Sequence, residues 1–156
     1  LYCTPITDGA SALIIATREV AEKVLAGIGK RPVYITCIDH RIESHQLGTR
    51  DLTSSMSTRI AGEQAGVSKG KVDIAELHAP FSHQEILLKE ALGLDDSTVI
   101  NPSGGALAGN IFMSAGLDRI GAVATRIMNG EANRGVAHAT SGACLQQNLV
   151  AVLEGK

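Results

Sequence analysis

An imidazole at the end of one apolar run, and a glycine-rich turn at the end of the next, are the groups in this chain best suited to chemistry. The run Val72-Asp73-Ile74-Ala75-Glu76-Leu77 leads into His78-Ala79-Pro80-Phe81-Ser82, and the brief run Thr98-Val99-Ile100 leads into Asn101-Pro102-Ser103-Gly104-Gly105. Imidazole exchanges and donates protons near neutral pH, and a turn built on glycine lets the backbone approach a ligand closely. The combination implies a site that handles a carbonyl group. Other polar residues carry weaker signals. His40 and His45 share a polar stretch with Asp39, Glu43 and Asp51, but without the tight spacing of metal ligands, so no metal is expected. His83 and Glu85 open a helix, where a carboxylate meets the positive end of the helix dipole. Cys37 reads as a core residue, and Cys3 has no assignment.

The elements that must position these residues follow from periodicity. Ser11–Thr17 is a short continuous apolar run, which predicts a strand buried on both faces. Arg18–Ile28 has helical spacing in Val20, Ala21, Val24, Leu25 and Ile28, with Gly29 as a stop. Val33–Ile38 predicts a strand and Asp39–Ser54 a long surface loop. Met56–Ala65 predicts a helix closed by Gly66, Val72–Leu77 a strand, and His83–Leu92 a helix closed by Gly93. Thr98–Ile100 predicts a brief strand, and Ala115–Met128 a helix with Leu117, Ile120, Val123, Ala124 and Ile127 on one side. Gly135–Ala139 and Leu149–Leu153 are the last apolar runs. Alternating strands and helices imply one α/β domain over residues 1–156, a layered sheet with helices on both faces.

Composition narrows the class. Hydrophobic residues make up 44% of 156 residues and aromatics 3%, with 17 glycines, so the core is built from Val, Ile, Leu and Ala. A formal charge of -2 and the lack of a Lys/Arg block give no footprint for nucleic acid or an anionic membrane, and neither partner is expected. Three cysteines at unrelated spacings match neither a zinc pattern nor a disulfide framework, which fits a reducing cytoplasm. No signal peptide is visible, and no apolar run reaches the roughly 20 residues of a spanning helix. The sequence opens at Leu1 without methionine, as a fragment or a processed piece would.

Taken together, these residues resemble the C-terminal half of the thiolase superfamily, particularly its sterol-carrier-protein-type and archaeal or actinobacterial thiolase-like branch. Cys3-Thr4-Pro5-Ile6-Thr7-Asp8-Gly9-Ala10-Ser11-Ala12 looks like the entry to the second half of a thiolase. Glu76 to Phe81 looks like the family's His-Asp-Cys-Phe motif, with Glu85–Leu94 and Asn101–Gly105 continuing the match. The resemblance implies a mixed sheet of about five strands, and a machine of two similar halves in which the first half carries a nucleophilic cysteine. It also implies an acyltransferase, transferring groups other than aminoacyl groups, with coenzyme A as thioester substrate or product and no covalently bound cofactor. Expected partners are the N-terminal half, from the same gene or a partner subunit, and further copies in a homo-oligomer.

The resemblance also assigns roles. His78 matches the motif histidine and would hold an oxyanion, against the alternative of a core histidine satisfied by backbone. Ala79 and Pro80 replace the motif's acid and cysteine. Gly109-Asn110-Ile111 stands where thiolases carry Gly-His-Pro, and asparagine cannot act as that base; Asn110 either orients a carbonyl or water or is a turn residue. Ser114-Ala115-Gly116 stands near the family's Ala-Thr-Gly. The family's Cys-x-Gly falls within His138–Gln146, with Gly142 at the cysteine's place. Cys144 is then a displaced acid/base or a small buried hydrophobe, and His138 a second site candidate. Phe81, Ser103, Gly104, Gly105, Gly142 and His138 would line the substrate site. Two other activities stay open. One is a catalytically impaired acyl-CoA-binding or lipid-transfer protein. The other is aldol cleavage of sterol-derived thioesters with a small OB-fold, zinc-ribbon partner, although Tyr2 and Tyr34 occupy no motif position.

Overall fold

A computed structural model of the chain describes residues 2–155; Leu1 and Lys156, the ends of the expected 1–156 domain, lie outside the described residues. The elements in chain order are α1 (Arg18–Gly27), β1 (Val33–Ile42), α2 (Met56–Ala65), β2 (Ile74–Glu76), α3 (Ser82–Ala91), β3 (Val99–Ile100), α4 (Gly105–Ala108), α5 (Ala115–Met128), β4 (Arg134–Ser141) and β5 (Gln147–Gly155). The five strands form one mixed sheet in the order β1-β5-β4-β2-β3. β4, β2 and β3 run parallel, and β5 is antiparallel to both β4 and β1.

Side chains alternate across a strand, so each strand feeds two cores. On one face Ala75, Val136, Val150 and Val152 pack with Ala61 and Ala65 of α2, Leu88 of α3 and Leu92 just after it. On the other, Ile74, Ala137, Ala151 and Leu153 pack with Val123 and Ile127 of α5. Helices therefore cover both faces, and the middle of the parallel strands, Ile74–Ala75 of β2 and Val136–Ala137 of β4, is apolar because neither side meets water there. The buried stripe of α5 runs Ala115, Arg119, Val123, Ile127, none more than 2% exposed. These residues recur every four positions, which keeps them on one side of a helix. An arginine thus occupies a core position.

Three expectations need correction. Ser11–Thr17 is not a strand: it pairs with none of the five, and Ile14 and Ile15 are 98% and 81% exposed. An apolar run becomes a strand only beside a ladder partner, and β1 and β3 close the sheet at its two edges without it. Nor is Asp39–Ser54 all loop, since β1 continues to Ile42 with His40 opposite Leu149. Backbone pairing to β5 carries this edge strand through a polar sequence. The run Val72–Leu77 keeps ladder geometry only over Ile74–Glu76. α1 forms where its periodicity places it but buries none of its own residues. It is tied down by polar contacts: the Arg18 guanidinium lies 4.2 Å from the Tyr34 ring centre, and the Tyr34 hydroxyl donates to Glu22 at 2.7 Å. Among the described residues, no helix is long and apolar enough to cross a membrane.

The two kinds of helix should respond differently to truncation. Ile127→Ala in the α5 core is expected to cost about 2–5 kcal/mol. Val24→Ala on the exposed face of α1 should fall within about 0.5 kcal/mol of wild type. Urea unfolding of both variants checks this, and equal losses would contradict the assigned packing.

Candidate functional site

The parallel strands deliver the polar residues to one edge of the sheet. His78 follows β2, the turn Asn101–Gly105 follows β3, and the hairpin 142–146 follows β4. The carboxyl ends of parallel strands are where open α/β sheets bind ligands.

His78 and Asn110 are in direct contact, each only 3% exposed, with Nε2 and Oδ1 3.2 Å apart. The hydrogens follow from the surroundings. Thr140 presents its backbone N–H to Nδ1 at 3.5 Å, so that nitrogen accepts and Nε2 carries the proton. Nε2–H then donates to Asn110 Oδ1, and the amide Nδ2 donates to Thr4 Oγ1 at 3.1 Å. The Asn110 main chain is held as well: its N–H donates to Thr7 Oγ1 at 3.0 Å, and its carbonyl accepts from the Thr7 N–H at 3.0 Å. Burial lowers the His78 pKa below the ordinary imidazole value, the hydrogen bond to Asn110 opposes this, and the Arg119 charge adds to the lowering. His78 is therefore a neutral donor at neutral pH. It is buried, as the core reading required, and it is also joined to Asn110.

The glycine turn rests on a buried ion pair that sequence reasoning missed. Glu76 and Arg119 are 0% and 2% exposed, with Arg119 Nη1 3.4 Å from Glu76 Oε2. Ser103 donates to the same carboxylate through its N–H at 2.9 Å and its hydroxyl at 2.6 Å. Arg119 Nη1 donates to Ser103 Oγ at 3.1 Å, and Nη2 donates to the Gly109 carbonyl at 3.2 Å. Ser103, although exposed as a residue, thus spends its N–H and hydroxyl on this pair. Gly104 and Gly105 have φ of 95° and 62°, the left-handed region that glycine enters without strain. The signal for the pair was present in the sequence: two opposite charges, one inside an apolar strand and one on the apolar stripe of a helix.

A second network surrounds His138, which is fully buried. Asn148 donates both amide hydrogens, to Ser57 Oγ at 2.7 Å and to the Leu145 carbonyl at 2.8 Å, so its Oδ1 accepts from His138 Nε2–H at 2.9 Å. His138 Nδ1 is buried without a hydrogen-bond partner among the described residues. Burial pushes the His138 pKa down to about 4, against the raising effect of Asn148, and His78 adds a smaller lowering.

The remaining candidates lie apart from the His78–Asn110 contact. Cys144 is exposed, which rules out the buried-hydrophobe reading, and no hydrogen bond joins its thiol to His78 or Asn110 among the described residues. Cys144 and Leu145 have φ of 53° and 57°, and Arg50 anchors this turn by donating to the Ala143 and Cys144 carbonyls at 2.9 and 3.1 Å. Gly142 has φ of 74°, and a Cβ there would run into the Gln146 side chain, so this position disfavours any larger residue. Phe81 caps α3, half exposed, and its N–H donates to Gln84 Oε1 at 3.1 Å. A shallow cleft of about 400 Å³ is lined by Thr7, Ser11, Ile111, Phe112 and Ser114; it reaches Thr7 and Ile111, which adjoin Asn110, but neither Asn110 nor His78 lines it. The carboxylates near His40 and His45 are engaged elsewhere: Asp39 with Arg41, Glu43 with Ser57, and Asp51 with Thr53. Among the described residues no three His, Cys, Asp or Glu side chains are grouped to hold a metal.

Comparison with known proteins agrees with the fold. No protein-family model matches the chain. It is 28% identical over 149 residues to an acetyl-CoA acetyltransferase of Methanocaldococcus jannaschii, covering 79% of this chain and 37% of that protein. It is 35% identical over 104 residues to the 3-oxoadipyl-CoA/3-oxo-5,6-dehydrosuberyl-CoA thiolase of Escherichia coli, covering 66% and 25%. It is 30% identical over 133 residues to sterol carrier protein 2 of Rattus norvegicus, covering 69% and 24%. The chain belongs to the thiolase superfamily, with the layered α/β fold and the sequence of its C-terminal half. It spans between a quarter and about two fifths of the length of these relatives.

Two measurements test the site's construction. Gly104→Val should lower the melting temperature, because a branched side chain resists φ near 95° and a Cβ there would lie 2.6 Å from the Ala108 Cβ. An unchanged melting temperature would remove the turn argument. His138, with its folded pKa of about 4, makes stability fall as pH falls, because below the ordinary value near 6.5 the unfolded chain binds a proton that the folded one refuses. The loss begins near pH 6.5 and levels off near pH 4, reaching about 3 kcal/mol. Urea unfolding across that window should show the slope, and His138→Gln should flatten it.

Proposed function

We propose that this chain is the C-terminal domain of an acyltransferase acting on acyl-CoA thioesters, in which His78 and Asn110 polarise the thioester carbonyl and an N-terminal half supplies the nucleophilic cysteine. The observation that carries this reading is the buried, neutral His78 with its Nε2–H aimed at Asn110, whose neighbours Thr7 and Ile111 line an open cleft. A thioester oxygen entering from the cleft takes the Nε2–H by sharing it with, or displacing, Asn110 Oδ1. One hydrogen of Asn110 Nδ2 is left over after Thr4 is served, so a second donor stands next to the first. As the carbonyl carbon is attacked and negative charge gathers on oxygen, fixed donors in a dry site stabilise it without reorganising. A neutral imidazole does this without first losing a proton. The N-terminal half, from the same polypeptide or a partner subunit, would cover the apolar segment that leaves Ile14 and Ile15 in solvent.

One observation favours a second reading, an acyl-CoA- or lipid-binding protein that keeps the fold without the chemistry. Asn110, which the resemblance sets at the place of the family's base, cannot take a proton, while Cys144 lies exposed and His138 is sealed in the core. Aldol cleavage gains no support, since the Tyr34 hydroxyl is bound to Glu22.

Isotope exchange between acetyl-CoA and labelled coenzyme A, catalysed by the full-length protein, separates the readings. His78→Ala should reduce exchange by about 100- to 1000-fold with an unchanged circular dichroism spectrum. Tight acyl-CoA binding with no exchange in the wild type would establish the binder instead. Asn110→His should raise any condensation rate if position 110 faces the nucleophile, and a folded variant with no gain would count against that placement.

A further inference from the structure

We propose that Arg119, braced by Glu76, is a positioning residue for the His78–Asn110 pair: by holding the Gly109 carbonyl it fixes the peptide that carries Asn110, and so decides which side of the carboxamide meets His78. The effect on catalysis rests on the acyl-transfer reading above; the structural claim does not. The 109–110 peptide is clamped on both edges, with Arg119 Nη2 on the Gly109 carbonyl at 3.2 Å and Thr7 Oγ1 on the Asn110 N–H at 3.0 Å. The same guanidinium reaches Glu76, two residues before His78, and Ser103 of the glycine turn. One side chain therefore ties the strand end that carries His78 to the peptide that carries Asn110.

The orientation matters because a carboxamide has two sides of nearly equal shape and opposite hydrogen-bonding sense. Turned over, Asn110 would set Nδ2 against His78 Nε2–H, donor against donor. His78 could relieve this only by moving its proton to Nδ1, where the Thr140 N–H already points. Carboxamide orientation and imidazole tautomer are therefore coupled, and whatever fixes one fixes the other.

Stability alone explains the arginine poorly. A buried ion pair is often replaceable by apolar residues of similar volume at no loss, and position 119 lies on an otherwise apolar helix stripe between Ala115 and Val123. What an apolar residue cannot supply is a rigid fork addressing a carboxylate, a hydroxyl and a carbonyl at once, and a lysine supplies it only in part.

The test uses the full-length protein with ¹⁵N-labelled histidine and long-range ¹H–¹⁵N correlation of the imidazoles. In wild type, His78 should show one protonated Nε2 and one bare Nδ1. In the charge-neutral double variant Glu76→Gln/Arg119→Met, the two nitrogen shifts should converge as tautomers mix, while the melt stays cooperative. Arg119→Lys should fall between the two. Where exchange activity is present, kcat should drop by about 100-fold with KM little changed, the signature of a displaced catalytic group. A folded double variant whose His78 keeps a single Nε2–H tautomer overturns the proposal. Should the double variant not fold, Arg119→Lys, which keeps the charge but gives up the fork, decides the matter, and unchanged His78 shifts there overturn the proposal equally. An inactive wild-type protein would defeat the acyl-transfer reading, whereas the imidazole shifts, which need no turnover, would still decide the role of Arg119.

Discussion

A carboxylate and a guanidinium taken out of water need polar partners, and this requirement shapes the functional end of the sheet, where Arg119 Nε alone of their polar atoms stays without one among the described residues. Glu76 is the last residue of β2 and Arg119 the second turn of α5, and each is sealed by the packing of α5 on the sheet. Their mutual contact does not satisfy them. The carboxylate also takes the Ser103 N–H and hydroxyl, and the guanidinium also takes Ser103 Oγ and the Gly109 carbonyl. The course of the chain from residue 101 to residue 110 is thus bent around two buried charges. The positive φ at Asn101, Gly104 and Gly105 is the conformational cost of that path, borne mostly by glycine.

Two histidines stand on the resulting frame with the same kind of partner and different prospects. Each donates Nε2–H to an asparagine oxygen, and for each the protonated form is disfavoured by burial. Around His138, the asparagine is spent on Ser57 and Leu145 and both residues are closed in by α2, so nothing approaches from outside. Around His78, the asparagine retains a spare hydrogen and is bordered by Thr7 and Ile111, which line the open cleft. The spare hydrogen and the neighbouring cleft, rather than burial or pKa, distinguish the His78 pair from the His138 pair.

What could be read from the sequence divides along local and non-local lines. α2 and α5 begin and end where periodicity puts them, because a helix satisfies its own backbone and its apolar stripe is a local pattern. Strands depend on neighbours that local pattern does not contain. Ser11–Thr17 has the composition of a buried strand and no ladder, while polar Asp39–Ile42 is strand because β5 lies beside it. The His78 and Asn110 positions were legible from motif resemblance, but their contact was not, since it joins residues 32 apart. Glu76 and Arg119 were legible in principle as charges at core positions. Attention to imidazoles, thiols and glycine turns overlooks them, because neither belongs to a reactive residue type expected in a carbonyl site.

The asparagine at position 110 narrows the chemistry more than any other single residue. A base there would hold an exchangeable proton and would change charge during turnover; an amide does neither, and at 3% exposure it has no water to do so on its behalf. Asn110 can therefore donate a hydrogen bond to a negatively charged oxygen but cannot itself take a proton from a nucleophile. Its frame has the matching property: every group in contact with Asn110, namely His78, Thr4, Thr7 and the clamped Gly109 peptide, is neutral, and the charges behind the clamp, Glu76, Arg119 and Asp118, are paired with one another. Such surroundings stabilise charge that appears on a substrate and resist charge that would appear on the protein. On the acyl-transfer reading proposed above, the proton of the nucleophile must then go to a group other than Asn110.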